Sequence, residues 1–224
     1  MNKSSSGVAV RVWDLPTRLF HWGLVVLIVF SFVTGKMGRI EWHMYSGKVI
    51  LALVLFRVLW GFAGNEHARF AGFLRGPGET IGYALATVRG TAQRYLGHNP
   101  MGGWSALAMV LLIGFQAISG MFATDDIYTD GPLKYLVSDD TSKRLTTLHR
   151  YGVNVLLVLV GLHVAAVLFY LLVKKDNLVG AMVTGRKRAT AATAAAAGGS
   201  AVTAVLLLAV SLAIVLGGLA IYGK

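Results

Sequence analysis

Residues 148–163 have the sequence LHRYGVNVLLVLVGLH and lie inside a long apolar stretch at residues 145–173. A helix needs about 20 apolar residues to cross the hydrocarbon core of a bilayer, and this stretch exceeds that length. Within it, His149 and His163 are 14 residues apart. In an α-helix this separation returns to nearly the same face and corresponds to a rise of about 21 Å. The stretch therefore predicts a transmembrane helix that carries two imidazoles on one face, at two depths.

The composition of the whole chain supports a membrane location. Hydrophobic residues make up 55% of the sequence and charged residues only 14%, whereas soluble domains carry about 25% charged residues. The absence of cysteine excludes disulfides, iron–sulfur clusters, zinc–thiolate sites and covalently attached haem c. The net charge of +11 does not predict nucleic-acid binding, because Lys and Arg cluster at the ends of apolar segments, as membrane topology requires.

Five segments are long and apolar enough to span a bilayer, and backbone groups that face lipid can be satisfied only within helices. We therefore predict an all-α integral membrane protein, with a four-helix bundle that binds haem and a fifth C-terminal transmembrane helix. The predicted spans are Leu19–Met37, His43–Ala63, Met101–Thr124, Leu145–Val173 and Ala201–Tyr222. The predicted organisation is a cytoplasmic tail (1–18), the four-span core (19–175), a basic, Ala/Thr/Gly-rich linker (176–200) and the C-terminal span (201–224).

The distribution of Lys and Arg predicts the orientation of the spans. Basic residues are concentrated in the tail, in the loop after the second span and after the fourth span, whereas acidic residues occupy the segment from Asp125 to Asp140. By the positive-inside rule the N-terminus is cytoplasmic and the C-terminus periplasmic, in a multi-pass protein of a bacterial inner membrane. The first residues lack the apolar core of a cleavable signal peptide, so we expect them to remain as a tail.

The loop at residues 65–100 separates the second and third spans. Its segment 78–95 has the apolar spacing of a short amphipathic helix, which would lie in the membrane interface or, as an alternative, on the protein surface. Two further histidines belong to this loop. We expect His67 to be solvated and His98 to serve a turn or the start of the third span.

Histidines inside a bilayer require a functional reason. His21 begins the first span on the cytoplasmic side, at the depth of His163, and His43 begins the second span on the outer side, at the depth of His149. Depth therefore predicts two haem groups, an inner one with axial ligands His21 and His163 and an outer one with axial ligands His43 and His149. Taken singly, each histidine also fits a harmless place near a helix end, but four that match in depth favour ligation.

Three glycines and one arginine accompany these histidines. Gly47 lies one turn after His43 on the same face, where a macrocycle would need room. Gly152 lies three residues after His149, and Gly161 two residues before His163. Plain helix packing is the alternative role for each glycine. Arg57 lies 14 residues after His43, at the depth of the inner haem. It would pair with a haem propionate or a quinone-site group, or else extend to the interface.

These motifs resemble those of the bacterial cytochrome b561 family, which includes the b-type cytochrome subunits of nickel–iron hydrogenases. The matching stretches are VWDLPTRLFHWGLV (12–25), HMYSGKVILALVLFRVLWGF (43–62), YLGHNPMGGW (95–104), LLIGFQAISGMF (111–122) and LHRYGVNVLLVLVGLH (148–163). The resemblance implies a four-helix core with two bis-histidine haems b, and by motif position it implies the same ligands as the depth argument. The fifth span lies outside the matching region.

The resemblance also implies electron transfer with the membrane quinone pool, so ubiquinone or menaquinone is a candidate substrate. Our main functional prediction is a dihaem cytochrome that exchanges electrons between quinone and a partner such as a soluble cytochrome c, which the acidic outer loop could dock. The alternative is a membrane-anchor subunit of a larger oxidoreductase such as a Ni/Fe-hydrogenase. A homodimer is compatible with either function. A histidine-lined metal transporter is disfavoured, because the spans carry few polar residues to line a pore.

Overall fold

A computed structural model of the chain describes residues 8–189 and 198–223. Its helices, in chain order, are α1 Leu15–Lys36, α2 Ile40–Ala63, α3 Phe70–Phe73, α4 Pro77–Val88, α5 Pro100–Met121, α6 Asp139–Leu172, α7 Leu178–Thr184, α8 Ala201–Leu212 and α9 Gly218–Tyr222. A π-helical turn, Ala213–Gly217, joins α8 to α9, and a 3₁₀ turn, Lys134–Leu136, precedes α6. Two short strands, β1 Val8–Arg11 and β2 Arg186–Ala189, complete the described elements.

Five helical segments are long and apolar enough to cross a membrane: α1, α2, α5, α6 and the continuous α8–α9 segment. This confirms the predicted fold class, an all-α integral membrane protein with several spans. Four spans begin earlier than predicted, and the two largest differences, at α1 and α6, have hydrogen-bonding and electrostatic reasons. The Asp14 carboxylate accepts a hydrogen bond from the Thr17 amide at 2.9 Å and caps α1. Asp139 and Asp140 lie in the first turn of α6, where negative charge is favourable.

The strands were not predicted. β1 and β2 pair antiparallel, with Val10 opposite Lys187 and Arg11 opposite Arg186. Gly185, in a left-handed conformation at φ 79°, ends α7 and turns the chain, and its carbonyl accepts hydrogen bonds from the amides of Val12 and Trp13. Four residues of alternation are too short a signal to identify a strand in a sequence. The predicted linker therefore contains α7 and β2, while its residues 190–197 lie outside the described part of the chain.

The loop between α2 and α5 contains the predicted amphipathic helix. It is α4, which ends before Arg89 and the left-handed Gly90, so the last residues of the predicted segment are not helical. Ile81, Leu85 and Val88 are all exposed, as an interfacial helix requires. Its position in the membrane interface stays a prediction.

The chain divides into two compact units. Among the described residues, the first comprises residues 8–19, 60–107, 163–189 and 198–204, and the second comprises residues 20–59, 108–162 and 205–223. In the first unit, Val12, Trp13 and Ala181 form a hydrophobic cluster. The fully buried Asn65 fixes the chain nearby, because its side chain donates to the Val12 carbonyl and accepts from the Ala68 amide.

The second unit brings together parts of α1, α2, α5 and α6. Phe20 of α1 packs against Phe56 of α2, with ring centroids 6.5 Å apart. A Cβ on Gly114 of α5 would lie 3.3 Å from Val54 of α2, so these helices approach closely there. The Ser142 hydroxyl of α6 donates to the Phe122 carbonyl just after α5. These four helices position the candidate site.

Candidate functional site

His43 and His149 lie side by side in the second unit. His43 belongs to the first turns of α2 and His149 to α6. Their ring centroids are 5.9 Å apart and their planes are nearly perpendicular, at 81°. The structure thus brings together the two residues that the sequence pairs as ligands of the outer haem.

The neighbouring helix α1 fixes the His43 ring. Nδ1 of His43 lies 2.8 Å from the Ser31 carbonyl oxygen and 3.1 Å from the Ser31 hydroxyl. A carbonyl oxygen can only accept, so Nδ1 carries the proton and donates it, and the lone pair of the ring remains on Nε2. Gly35 leaves room for the ring, because a Cβ there would lie 2.9 Å from Nδ1.

The helix α5 fixes the His149 ring in the same way. Nδ1 of His149 donates to the Gln116 carbonyl at 2.9 Å and lies 3.3 Å from the Ser119 hydroxyl. A Cβ on Gly120 would lie 3.0 Å from Cε1 of the ring. The lone pair of this imidazole is therefore also on Nε2.

The Gln116 side chain adds a second connection between α5 and α6. Its Nε2 donates to the His149 carbonyl at 3.0 Å. A Cβ on Gly152 would lie 2.4 Å from Oε1 of the same side chain. Gly152 thus makes space for Gln116, which supports the packing alternative for this glycine and not the predicted room for a macrocycle.

This arrangement can bind a metal centre through two imidazole nitrogens. A bond between a metal and an imidazole nitrogen is about 2.0–2.1 Å long. With ring centroids 5.9 Å apart, His43 and His149 lie close enough together to hold one ion. Within the described residues no group of three or more His, Cys, Asp or Glu side chains could hold a metal ion. Two neutral nitrogens suit an iron that a macrocycle already holds, which makes the donor set appropriate for haem.

His21 and His163 are the other predicted pair of ligands. His21, in the second unit, packs edge-on against Trp22 with centroids 4.9 Å apart. His163 is partly exposed and belongs to the first unit. A Cβ on Gly161, two residues before it, would meet no atom within 4 Å. Ligation of one iron by His21 and His163 stays a prediction from the sequence.

Gly47 and Arg57 lie on α2 with His43. A Cβ on Gly47 would meet only the Met121 side chain, at 4.0 Å, so this face of the helix is open one turn after His43. Arg57 is 5% exposed and is flanked by the buried Phe56 and Trp60. Roles for Gly47 beside a macrocycle and for Arg57 toward a propionate stay predictions.

The loop histidines belong to the packing of the first unit. His67 is half-buried rather than solvated, and its ring lies 6.4 Å from that of Trp13. Burial lowers the pKa of His67, and the nearby Glu66 carboxylate opposes this shift. His98 packs between Trp13 and Phe73, at 5.0 and 4.7 Å, just before α5 begins. This place agrees with the predicted role at the start of a span.

Five residues around the imidazoles were missed by the sequence reasoning: Ser31, Gly35, Gln116, Ser119 and Gly120. The segments 31–35 (SFVTG) and 116–120 (QAISG) both end in a glycine four residues after the carbonyl that accepts from a histidine. Glycines on α1 and α5 at the depth of His43 and His149 were the available signal. Glycine in membrane helices is too common for that signal to be decisive.

Five apolar helices long enough to span a bilayer define a multi-pass membrane protein, and the two facing imidazoles in it could hold a metal cofactor. The model of the family described as prokaryotic cytochrome b561 matches residues 12–185, and the chain belongs to this family. Membership confirms the resemblance inferred from the motifs, and it implies haem b and electron transport.

Curated relatives match over most of their length. A protein of Rhizobium leguminosarum bv. viciae named "Probable Ni/Fe-hydrogenase B-type cytochrome subunit" is 25% identical over 217 residues, which cover 80% of this chain and 89% of that protein. One of the same name from Azotobacter vinelandii is 27% identical over 212 residues (79% and 88%). The "Probable Ni/Fe-hydrogenase 1 B-type cytochrome subunit" of Escherichia coli K12 is 25% identical over 217 residues (82% and 92%). No solved structure matches the chain.

Proposed function

We propose that this chain is the haem-bearing membrane subunit of a Ni/Fe-hydrogenase and exchanges electrons with a catalytic partner subunit. The observation that carries the proposal is the facing pair His43 and His149 in a chain similar over most of its length to proteins named as hydrogenase cytochrome subunits. These relatives favour the membrane-anchor alternative over the exchange of electrons between quinone and a soluble cytochrome c.

The chain's own residues would hold the cofactor. Haem b supplies one-electron redox chemistry when bound. Nε2 of His43 and Nε2 of His149 would hold the haem iron, and the carbonyls of Ser31 and Gln116 keep each proton on Nδ1. Two histidine ligands would leave dioxygen no place on the iron, which would favour a carrier of electrons over an oxidase.

A second haem, between His21 and His163, belongs to the proposal on the strength of the 14-residue spacing from His149 to His163 alone. Arg57 would neutralise a propionate of this inner haem, because it lies 14 residues after His43, at the predicted depth of that haem. Quinone, which is present in the membrane, is the proposed acceptor of the electrons.

The proposal is tested by purifying the full chain from its native membrane under mild conditions. A reduced-minus-oxidised spectrum with haem quantified per chain should show b-type haem at two per chain. A hydrogenase catalytic subunit should co-purify, and hydrogen should reduce the haem in the complex.

The two parts of the proposal can fail separately. A colourless protein would contradict haem binding altogether. A coloured protein that hydrogen does not reduce, but that a soluble cytochrome c oxidises, would contradict the hydrogenase partner and restore the carrier interpretation.

A further inference from the structure

The two-stranded ribbon formed by β1 and β2 has two chemically different faces. Side chains alternate between faces along a strand, and residues directly opposite share a face. Arg11 is paired with Arg186, and Ala9 with Arg188, so these four residues lie on one face. The three arginines are all exposed. The ribbon therefore presents three guanidinium groups together on its outer face.

The opposite face of the ribbon packs onto the first unit. Val10 is buried, and its partner Lys187 is largely buried and forms an ion pair with Asp176 at 2.9 Å. The one basic residue on this inner face thus has its own carboxylate. The cluster hydrophobics Val12 and Trp13 follow directly along the chain.

The outer face has uncompensated charge. Like charges directly opposite each other on paired strands are destabilising, and Arg11 and Arg186 are such a pair. Among residues 8–189 and 198–223, no carboxylate forms an ion pair with Arg11, Arg186 or Arg188. An external anion would relieve this repulsion.

The surroundings of the ribbon indicate where that anion comes from. β1 ends four residues before the membrane-spanning helix α1 begins, and β2 follows α7 directly. The Arg18 side chain of α1 donates to the carbonyls of Met182 and Val183, which holds α7 beside the start of α1. Val179 and Val183 of α7 are exposed. Apolar side chains and guanidinium groups at the end of a spanning helix suit the boundary between acyl chains and headgroups.

We propose that Arg11, Arg186 and Arg188 bind the phosphate headgroups of anionic phospholipids in the adjacent leaflet. The planar guanidinium forms paired hydrogen bonds with phosphate oxygens, which an ammonium group cannot do. The exposed valines favour a lipid over an acidic soluble protein, because they would contact acyl chains on one side of the ribbon. This site is independent of the proposed haem chemistry.

The test compares lipid binding by three forms of the full chain, purified with haem. The first is wild type, the second carries R11Q, R186Q and R188Q, and the third carries R89Q, R94Q and K175Q. The third form removes the same charge from exposed positions outside the ribbon, in segments predicted to lie on the same side of the membrane. Each form is placed in nanodiscs of phosphatidylcholine with or without phosphatidylglycerol, and retained lipid is counted by native mass spectrometry.

Wild type and the third form should retain phosphatidylglycerol in preference to phosphatidylcholine, and the ribbon variant should lose the preference. An equal loss in both variants would overturn the proposal, since general positive charge would then explain binding. Absence of preference in wild type would also overturn it. Binding of inorganic phosphate to the ribbon, with no retention of phosphatidylglycerol at the same concentration, would assign the site to free anions and likewise contradict the proposal.

A charge-conserving variant tests the geometry. R11K, R186K and R188K together keep the charge but lose the paired hydrogen bonds, so retention should be intermediate. Haem content and helical circular dichroism should be unchanged in every form. If a glutamine variant fails to fold, the lysine variant alone decides: retention equal to that of wild type would contradict recognition of phosphate by the guanidinium groups.

Discussion

The two imidazoles of the candidate site are fixed by two different helices in nearly the same way. Around His43, α1 supplies the Ser31 carbonyl and the open position at Gly35, and around His149, α5 supplies the Gln116 carbonyl and the open position at Gly120. In each case a carbonyl at one position and a glycine four residues later receive the ring. The side chains between them, FVT and AIS, have little in common.

Main-chain groups of α1 and α5 therefore do most of the positioning of the His43 and His149 rings. What the two halves share is a backbone acceptor and the absence of a Cβ. They differ in their additional contacts, since the His149 carbonyl accepts from the Gln116 side chain of another helix, whereas the His43 carbonyl accepts from Ser46 of its own helix. They differ also in connection, because a three-residue turn joins α1 to α2 whereas a longer loop joins α5 to α6. Substitutions of the groups that contact the His43 and His149 rings should therefore have similar effects on haem binding. Substitutions of the surrounding groups on α1 and α5 should have different effects.

Removal of either imidazole should have the largest effect. His43→Ala and His149→Ala each leave one axial nitrogen, so we expect each to lower haem from two to one per chain, measured by the pyridine haemochrome. His67→Ala, outside the site, is the matched control and should keep both haems. Loss of haem from one variant only would show that the two halves are not equivalent.

A methyl group at Gly35 or Gly120 should have the next largest effect on haem binding. Gly35→Ala and Gly120→Ala place a Cβ at 2.9 and 3.0 Å from the rings, and overpacking of this kind costs about 1–3 kcal/mol. We expect a changed ferric electron paramagnetic resonance signal and partial loss of haem. Gly23→Ala is the control, because its Cβ would lie at an ordinary 3.9 Å from Leu53. A signal as unchanged in Gly35→Ala as in this control would contradict the role of the glycine.

Removal of the Ser31 or Ser119 hydroxyl should have a smaller effect on the haem. Ser31→Ala and Ser119→Ala leave the carbonyl hydrogen bonds intact, and a single neutral hydrogen bond contributes about 0.5–1.5 kcal/mol. We expect a small upward shift of the haem midpoint potential, because the ring loses electron-donating support, and a larger shift for Ser31, whose oxygen is closer. Ser211→Ala in α8, a buried serine bonded within its own helix, should leave the potential unchanged. Equal potentials in all three variants would exclude a role for the hydroxyls.

The stability of the loop between α5 and α6 should depend only weakly on pH. Amide hydrogen bonds from Ile127, Tyr128 and Thr129 lower the pKa of Asp125 to about 2, from about 3.9 in an unfolded chain. The charged carboxylate therefore stabilises the loop above the unfolded pKa, and this contribution is lost as the pH falls through the folded value. We expect amide exchange at residues 127–129 to increase only near pH 2, and Asp125→Asn to raise it already at pH 7. Slow exchange in that variant would contradict a structural role for the charge.

Apolar length was sufficient to predict the spans, and helix geometry with depth predicted that His43 and His149 lie close together, as their rings do. Ligation of a haem by the two residues stays a prediction. The receiving carbonyls could not be predicted, since every residue has one and only tertiary packing selects Ser31 and Gln116. The contact between Gly152 and the Gln116 side chain could not be predicted for the same reason. The ribbon was missed because Val8–Arg11 and Arg186–Ala189 pair across most of the sequence, and neither strand is long enough to be detected alone.

The pairing of β1 with β2 constrains how the chain can be made. β1 leaves the ribosome before any spanning helix, whereas β2 emerges only after α1, α2, α5 and α6. The strands can meet only if these four segments have crossed the bilayer an even number of times, which returns the chain to the side where it began. A chain with one span left outside the membrane separates the strands by the full thickness of the bilayer. Closure of the ribbon is thus a late step of biogenesis, which requires an even number of crossings by these four segments.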